Sequence, residues 1–421
     1  MLAYANKVFD LGDLLENVRD RRQSPQIATA LVARIIVMLG LLRFRSFNAL
    51  EPRLSEPQLQ RALGTSPKPR KLCSVDTLIY SLHRMEPETT RRAVVAVVQK
   101  AERNKVFREG WHGAMRFVAI DGWEPFCSRA RHCHACLTRE VKDGKKTVTE
   151  YYHCFVVALL LDERTELVLD MEPVQSADVR NELGATVAGA EGELTAAKRL
   201  VQRLRKTYGG WIDVIVMDAL YSNGPMLTVA KDAGFGVIAV LKKNSDEPLK
   251  DALVIWEGKP PDKTLDDPKK KEHIELWDCP KIETLSTYKG PIRVVRGIVT
   301  KPEAVDVHTW CFAVTGKATR LSARQVLAAG RARWHLENTG FYQWVTYWQL
   351  GHVFTHGADA LPALFFLFFL AFNLLQLFAY RQLRSHGRDR GKDVTRTIWR
   401  LVVEMIDDLA RLDESLVWNS S

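Results

Sequence analysis

Over the first hundred residues apolar positions return every three or four places, most clearly in "ATALVARIIVMLGLLRF" (28–44) and "TRRAVVAVVQKAERNKVF" (90–107). That spacing predicts amphipathic and buried helices. The Pro- and basic-rich "LGTSPKPRKLCS" (63–74) lies between them. From residue 115 the period changes. "MRFVAID" (115–121) reads as a strand that stops on Asp121 with Gly122 behind it. "YYHCFVVALLLDERTELVLDMEPV" (151–174) is two apolar runs around the polar Asp162 to Thr165, which predicts a hairpin. "NELGATVAGAEGELTAAKRLVQRLRKTYGG" (181–210) has helical spacing and a glycine stop. "WIDVIVMDAL" (211–220) is a nearly unbroken apolar strand ending on Asp218, with a composition suited to burial on both faces. A helix opening at Ser222 or Asn223 and the strand "FGVIAVLKK" (235–243) complete the order β-β-β-α-β-α-β.

Between 244 and 316 charged loops alternate with "HIELWDC", "PIRVVRGIVT" and "VHTWCFAVT", which predict short antiparallel strands and a β-rich insertion. A helix from about Ser322 follows, so the helix that completes the α/β core arrives after the insertion. "LPALFFLFFLAFNLLQLFAY" (361–380) has the length of a membrane span. Pro362, Asn373 and Gln376 interrupt it, and the rest of the chain reads as soluble; a helix buried on all sides is the expectation. The resulting division is a helical N-terminal region for DNA binding or dimerisation (1–110), a first core segment (111–243), the insertion (244–316), a second core segment (317–380) and a basic helical C-terminal region (381–421).

The 421 residues carry 60 Lys and Arg against 50 Asp and Glu, a net charge of +10. This favours a polyanionic partner, nucleic acid first. The N-terminus lacks a basic stretch followed by an apolar one, which predicts a cytoplasmic rather than a secreted chain and makes the seven cysteines thiols or metal ligands.

"RARWHLENTGFYQWVTYWQLGHVFTH" (331–356) holds a single carboxylate, Glu337, with no other acid between Asp306 and Asp359. At helical spacing Arg333, Glu337, Phe341, Trp344 and Trp348 share one stripe, where an unpaired carboxylate is costly. An i,i+4 ion pair with Arg333 is the simple account. The sharper one is convergence: Asp121 and Asp218 each end a strand, and a helix bearing Glu337 can pack across the two strand ends. Three carboxylates repel one another unless divalent cations join them, and hard oxygen donors suit Mg²⁺, with Mn²⁺ able to substitute. Two such ions serve phosphoryl transfer.

With "AIDG" at Asp121, "VMDALYSNGP" at Asp218 and "RWHLENTGFYQW" at Glu337, the chain resembles bacterial DDE-type insertion-sequence transposases over roughly residues 115–378. The resemblance implies an RNase H-like mixed sheet interrupted by an all-β insertion and flanked by helical regions. It implies metal-dependent cleavage and strand transfer by Asp121, Asp218 and Glu337 holding two Mg²⁺ ions. It also implies double-stranded DNA partners, both terminal inverted repeats and target, engaged by a homodimer. In that family a Tyr and an Arg precede the Glu and a Lys follows it. Arg333 fits the Arg position, whereas the Tyr position falls on Gly330 and the Lys position on Trp344. Contacts to the DNA end are therefore expected from Arg333, Asn338, Tyr342 or Tyr347, and Lys242 and Lys243, and an insertion-domain Trp that stacks on a flipped base corresponds to Trp310.

"CSRARHCHACLTRE" places Cys133 and Cys136 as a CxxC knuckle near Cys127, with His153 further on. A loop of reduced thiols, with Arg129, Arg131 and Arg139 facing DNA, is the expectation; a tetrahedral zinc site made by the four is the alternative. "RQLRSHGRDRGKDVTR", "SPKPRK" and Lys269 to Lys271 are candidate basic surfaces for DNA. Two other readings of the whole remain: a DNA-binding protein derived from a transposase without its catalysis, and an inner-membrane protein.

Overall fold

The computed structural model describes residues 1–107, 115–162, 165–185, 189–242, 247–301 and 307–384. The basic stretch at 381–421 lies almost entirely outside them, as does Lys243. Helices fill the N-terminal hundred residues, the longest being Thr29–Leu41 and Pro87–Arg103. Ser74 caps Val75–Leu82 by accepting from the Thr77 N–H, and Pro87 opens its helix where no N–H is required.

Among the described residues twelve strands follow: β1 (Phe117–Trp123), β2 (Cys127–Ser128), β3 (Leu137–Asp143), β4 (Lys146–Tyr152), β5 (Phe155–Leu161), β6 (Leu167–Pro173), β7 (Val214–Met217), β8 (Gly236–Val240), β9 (Lys263–Asp267), β10 (Glu272–Ile282), β11 (Ile292–Thr300) and β12 (Val307–Thr315). Nine form one mixed sheet in the order β6-β5-β1-β7-β8-β12-β11-β10-β9. The first part has the expected pattern: β5 and β6 form the antiparallel hairpin, β5 runs against β1, and β1, β7 and β8 are parallel. The strands of 244–316 extend this same sheet, because β12 pairs antiparallel with β8 and carries β11, β10 and β9 outward.

Some elements differ from expectation. β2, β3 and β4 form a separate three-stranded sheet where the sequence suggested a Cys- and His-bearing loop. Its strands alternate without an apolar face, so composition hid them; Asp143-Gly144, with Gly144 at φ 62°, was the available hairpin signal. The long helix expected over 181–210 is a short Ala177–Glu182 helix and a separate Glu193–Tyr208 helix, because Gly184, Gly189 and Gly192 lie between them. Glu247–Trp256, within a stretch read as a charged loop, is a helix that buries Leu249, Ala252 and Trp256.

The apolar segment forms the helix Ala360–Arg384, packed on Pro87–Arg103, Thr29–Leu41 and β6. By length and hydropathy it could cross a bilayer, yet 89% of its most apolar window is buried inside the protein. Asn373, fully buried, explains the polar interruption: its amide donates to the Val168 carbonyl at 2.8 Å and accepts from the Val168 N–H at 2.9 Å. One side chain thus supplies two hydrogen bonds to a strand at the sheet edge. Beside it, buried Asp170 and Glu172 of β6 are met by Arg203 and Arg199 from Glu193–Tyr208 and by Arg91 from Pro87–Arg103. The Arg91–Asp170 pair therefore joins the N-terminal helices to the sheet.

Candidate active site

β1 and β7 set the position of two carboxylates. Their parallel register pairs Ile120 with Met217, so Asp121 and Asp218 follow side by side; Asp218 comes just after β7, whereas β1 does not stop on Asp121 as expected but runs on to Trp123, because Asp121 to Trp123 keep pairing with β5. One Asp121 oxygen accepts from the Gly122 N–H at 2.9 Å. Asp218 caps the short turn Ala219–Tyr221 by accepting from the Ala219 N–H.

The third carboxylate comes from the segment that begins at Ser322. Ser322 and Gln325 form a reciprocal capping box, and the helix Ala323–Ala332 lies against β8, β10, β11 and β12. The helical path then widens into a π turn over Leu336–Phe341 before narrowing again at Tyr342–Thr346. Glu337 sits in the wide turn, a distortion common at functional sites. Behind it Trp344 is fully buried, packing on Phe369 at 4.7 Å between ring centroids and edge-on to Trp123 at 5.4 Å; Trp123 also meets Phe365 at 5.0 Å. The aromatic cluster fixes the Glu337 segment to the end of β1 and to the apolar helix.

Arg333 joins the acids. Its guanidinium donates to Asp121 and, at 2.7 Å, to Glu337. The i,i+4 pair with Glu337 thus coexists with a contact from the same guanidinium to Asp121. Arg333 is only 5% exposed at its side chain, against 44% for Glu337, so the acid opens to solvent while its partner cation does not. Burial pushes the Asp121 carboxyl up to about 7; Arg333 opposes this, and the charges of Glu337 and Asp218 add to it. Two of the acids therefore act electrostatically on the third.

A fourth carboxylate was missed. Glu193 accepts from the Tyr221 hydroxyl and lies against Gly122, where any Cβ would overlap its carboxylate. A side chain at Gly122 would therefore displace the Glu193 carboxylate. As the first residue of its helix, Glu193 carried no sequence signal beyond a helix-start acid.

The expected DNA contacts are placed as follows. Lys242 is exposed just beyond β8. Asn338 is exposed beside Glu337, and Tyr342, 57% exposed, meets Tyr347 edge-on. Trp310, on β12, is half-buried, lies nearly parallel to Phe312 and meets the exposed Trp334 edge-on at 5.7 Å. Trp334, the neighbour of Arg333, was not singled out from sequence. Gly330 and Trp344 have structural duties: a Cβ at Gly330 would enter the Phe312 ring, and Trp344 is core. Cys133, Cys136 and His153 come together, but Cys127 lies apart from them, exposed on β2, and His356 joins the group instead.

A family model described as a transposase DDE domain matches residues 128–374. The match takes in Asp218 and Glu337 and begins just after Asp121. No curated protein matches the chain.

Proposed function

The chain belongs to the transposase DDE-domain family, and from this we propose that it binds the ends of an insertion sequence and catalyses cleavage and strand transfer there, with Asp121, Asp218 and Glu337 as the acids of the active site. The observation that carries this reading is the Arg333 guanidinium held between two of three clustered carboxylates. A cation is already the counter-charge of the site, and the donors are oxygens of the kind that suits Mg²⁺ or Mn²⁺. Asp121, Asp218 and Glu337 would hold two such ions, which when bound lower the pKa of an attacking water or 3′-hydroxyl and stabilise the departing 3′-oxygen.

The protein's own groups have separable tasks. β1 and β7 fix the spacing of the aspartates, while the Trp123, Trp344 and Phe369 packing sets how closely Glu337 approaches. Arg333, released from the acids when cations take its place, is positioned to receive the phosphate of a cleaved end. Asn338, Tyr342 and Tyr347 extend a polar and aromatic surface from the acids, and Trp310 with Trp334 offers a platform for an unpaired base. Double-stranded DNA is gripped by a homodimer through surfaces spread over the chain.

Cleavage of DNA bearing the element's own ends, in Mg²⁺, tests the proposal beside gel shifts of the same proteins. Asp121→Asn, Asp218→Asn and Glu337→Gln should each lower nicking and strand transfer by about a thousandfold or more, since all three ligands share one site. End binding should stay within about threefold of wild type, because phosphate contacts elsewhere dominate affinity. A Glu337→Gln protein that cuts at the wild-type rate would sink the assignment. Tight binding without cutting by the wild type would favour the non-catalytic reading.

A further inference from the structure

We propose that Cys133, Cys136, His153 and His356 form a closed structural zinc site, separate from the three carboxylates, that clips the segment following Glu337 to the small sheet following Asp121. One ligand atom from each of the four residues lies within 4.8 Å of the others. The individual distances carry the argument further. Zinc at about 2.3 Å from sulfur and about 2.0 Å from nitrogen, in a tetrahedron, requires sulfur–sulfur edges of about 3.8 Å and sulfur–nitrogen edges of about 3.6 Å. The Sγ atoms of Cys133 and Cys136 are 3.9 Å apart. His153 Nε2 is 3.6 Å from the Cys133 sulfur and 3.5 Å from the Cys136 sulfur, and His356 Nε2 is 3.7 Å from the latter. These are the edges of a metal tetrahedron, and the sulfurs are too far apart for a disulfide.

The local backbone suits the same role. The Cys136 N–H donates to the Cys133 carbonyl at 3.0 Å, closing a tight turn, and the Cys133 N–H donates to the Cys136 sulfur at 3.3 Å, as it would to a thiolate ligand. Two soft thiolates with two imidazoles select zinc over Mg²⁺, and four protein donors leave no open position for substrate. His356 stands 220 residues from Cys136 and could not be associated with the CxxC turn from spacing. It lies between the Glu337 segment and the apolar helix.

Full-length protein purified without chelator or added metal should carry about one zinc per chain. Cys136→Ser and His356→Ala should each reduce it to a small fraction, while Cys127→Ser should retain it. Should His356→Ala fail to fold, Co²⁺ exchange into the wild type decides, by thiolate-to-cobalt charge transfer together with the intense visible bands of a tetrahedral ion. Wild-type protein that holds no zinc and gives no such spectrum overturns the proposal, and so does full zinc content in His356→Ala. These readings need neither DNA nor Mg²⁺, so they stand or fall independently of the cleavage assay.

Discussion

Arg333 is the residue in which two duties compete. It neutralises Asp121 and Glu337, and under the proposed function it also receives the cleaved end. Removing it should therefore separate the two. Arg333→Ala should bind Mn²⁺ more tightly, on the order of tenfold, because a buried competing charge is gone. The same variant should hold cleaved ends less well than uncleaved ones; calorimetry with Mn²⁺ and gel shifts on pre-cut DNA read the two effects. Unchanged Mn²⁺ affinity would mean that the guanidinium does not stand where cations bind. Asp121, Asp218 and Glu337 stood out in the sequence because two close apolar runs and the third stands alone on a helical stripe, although β1 runs two residues past Asp121. Glu193 and His356 were not, since each owes its place to a partner far along the chain. For the same reason Cys127, near in sequence to the knuckle, made a plausible ligand that the fold places elsewhere.

At the scale of elements, the helix that delivers Glu337 is held from both ends. At its start the Ser322 capping box fixes the first turn, and near its end Arg331 forms a two-pronged pair with the buried Glu272 of β10, both contacts 2.8 Å. Between them, the Gly330 position pressed on Phe312 keeps the helix close to β12. The hydrogen bonds from Arg331 hold the Glu272 carboxyl below its usual range. A depressed folded-state pKa contributes stability that is present above the unfolded value of about 4.3 and lost as the pH falls below it. Glu272→Gln should therefore be less stable than wild type at pH 7, with the gap closing below about pH 4. Urea melts at a series of pH values test this, and a gap independent of pH would assign the loss to packing rather than charge. Hydrophobic period alone revealed this helix, but not its π turn, which depends on aromatic packing beneath it.

For the molecule as a whole, the sheet is the shared frame: nine strands run unbroken from the β6 edge to β9, so the insertion strands and the acid-bearing strands belong to one hydrogen-bonded sheet. The buried central strands were legible from their apolar runs, whereas the parallel pairing of β1, β7 and β8 is seen only in the fold. The continuity of β12 with β8 was not, because nothing in either strand specifies its neighbour. The apolar helix backs this frame against the N-terminal helices. Phe366, 4% exposed, lies within it, and Phe366→Asp would force an unpaired charge into that core at a cost of several kcal/mol. The variant should be recovered unfolded or insoluble, whereas the wild type should remain in solution after high-speed centrifugation without detergent. Detergent-dependent recovery of the wild type would reverse the reading of this helix.

That burial also sets a race during synthesis. Ala360–Arg384 leaves the ribosome after the Thr29–Leu41 and Pro87–Arg103 helices that receive it, so its docking surface can form before it emerges. Until it docks, its most apolar 18-residue window, of mean hydropathy 2.1, is a segment that insertion machinery reads as a span. Slow folding of the long-range sheet prolongs that exposure. Strong overproduction should then divert part of the newly made chain to the membrane, a kinetic loss that arises from the same apolar surface that seats Glu337 in the finished protein.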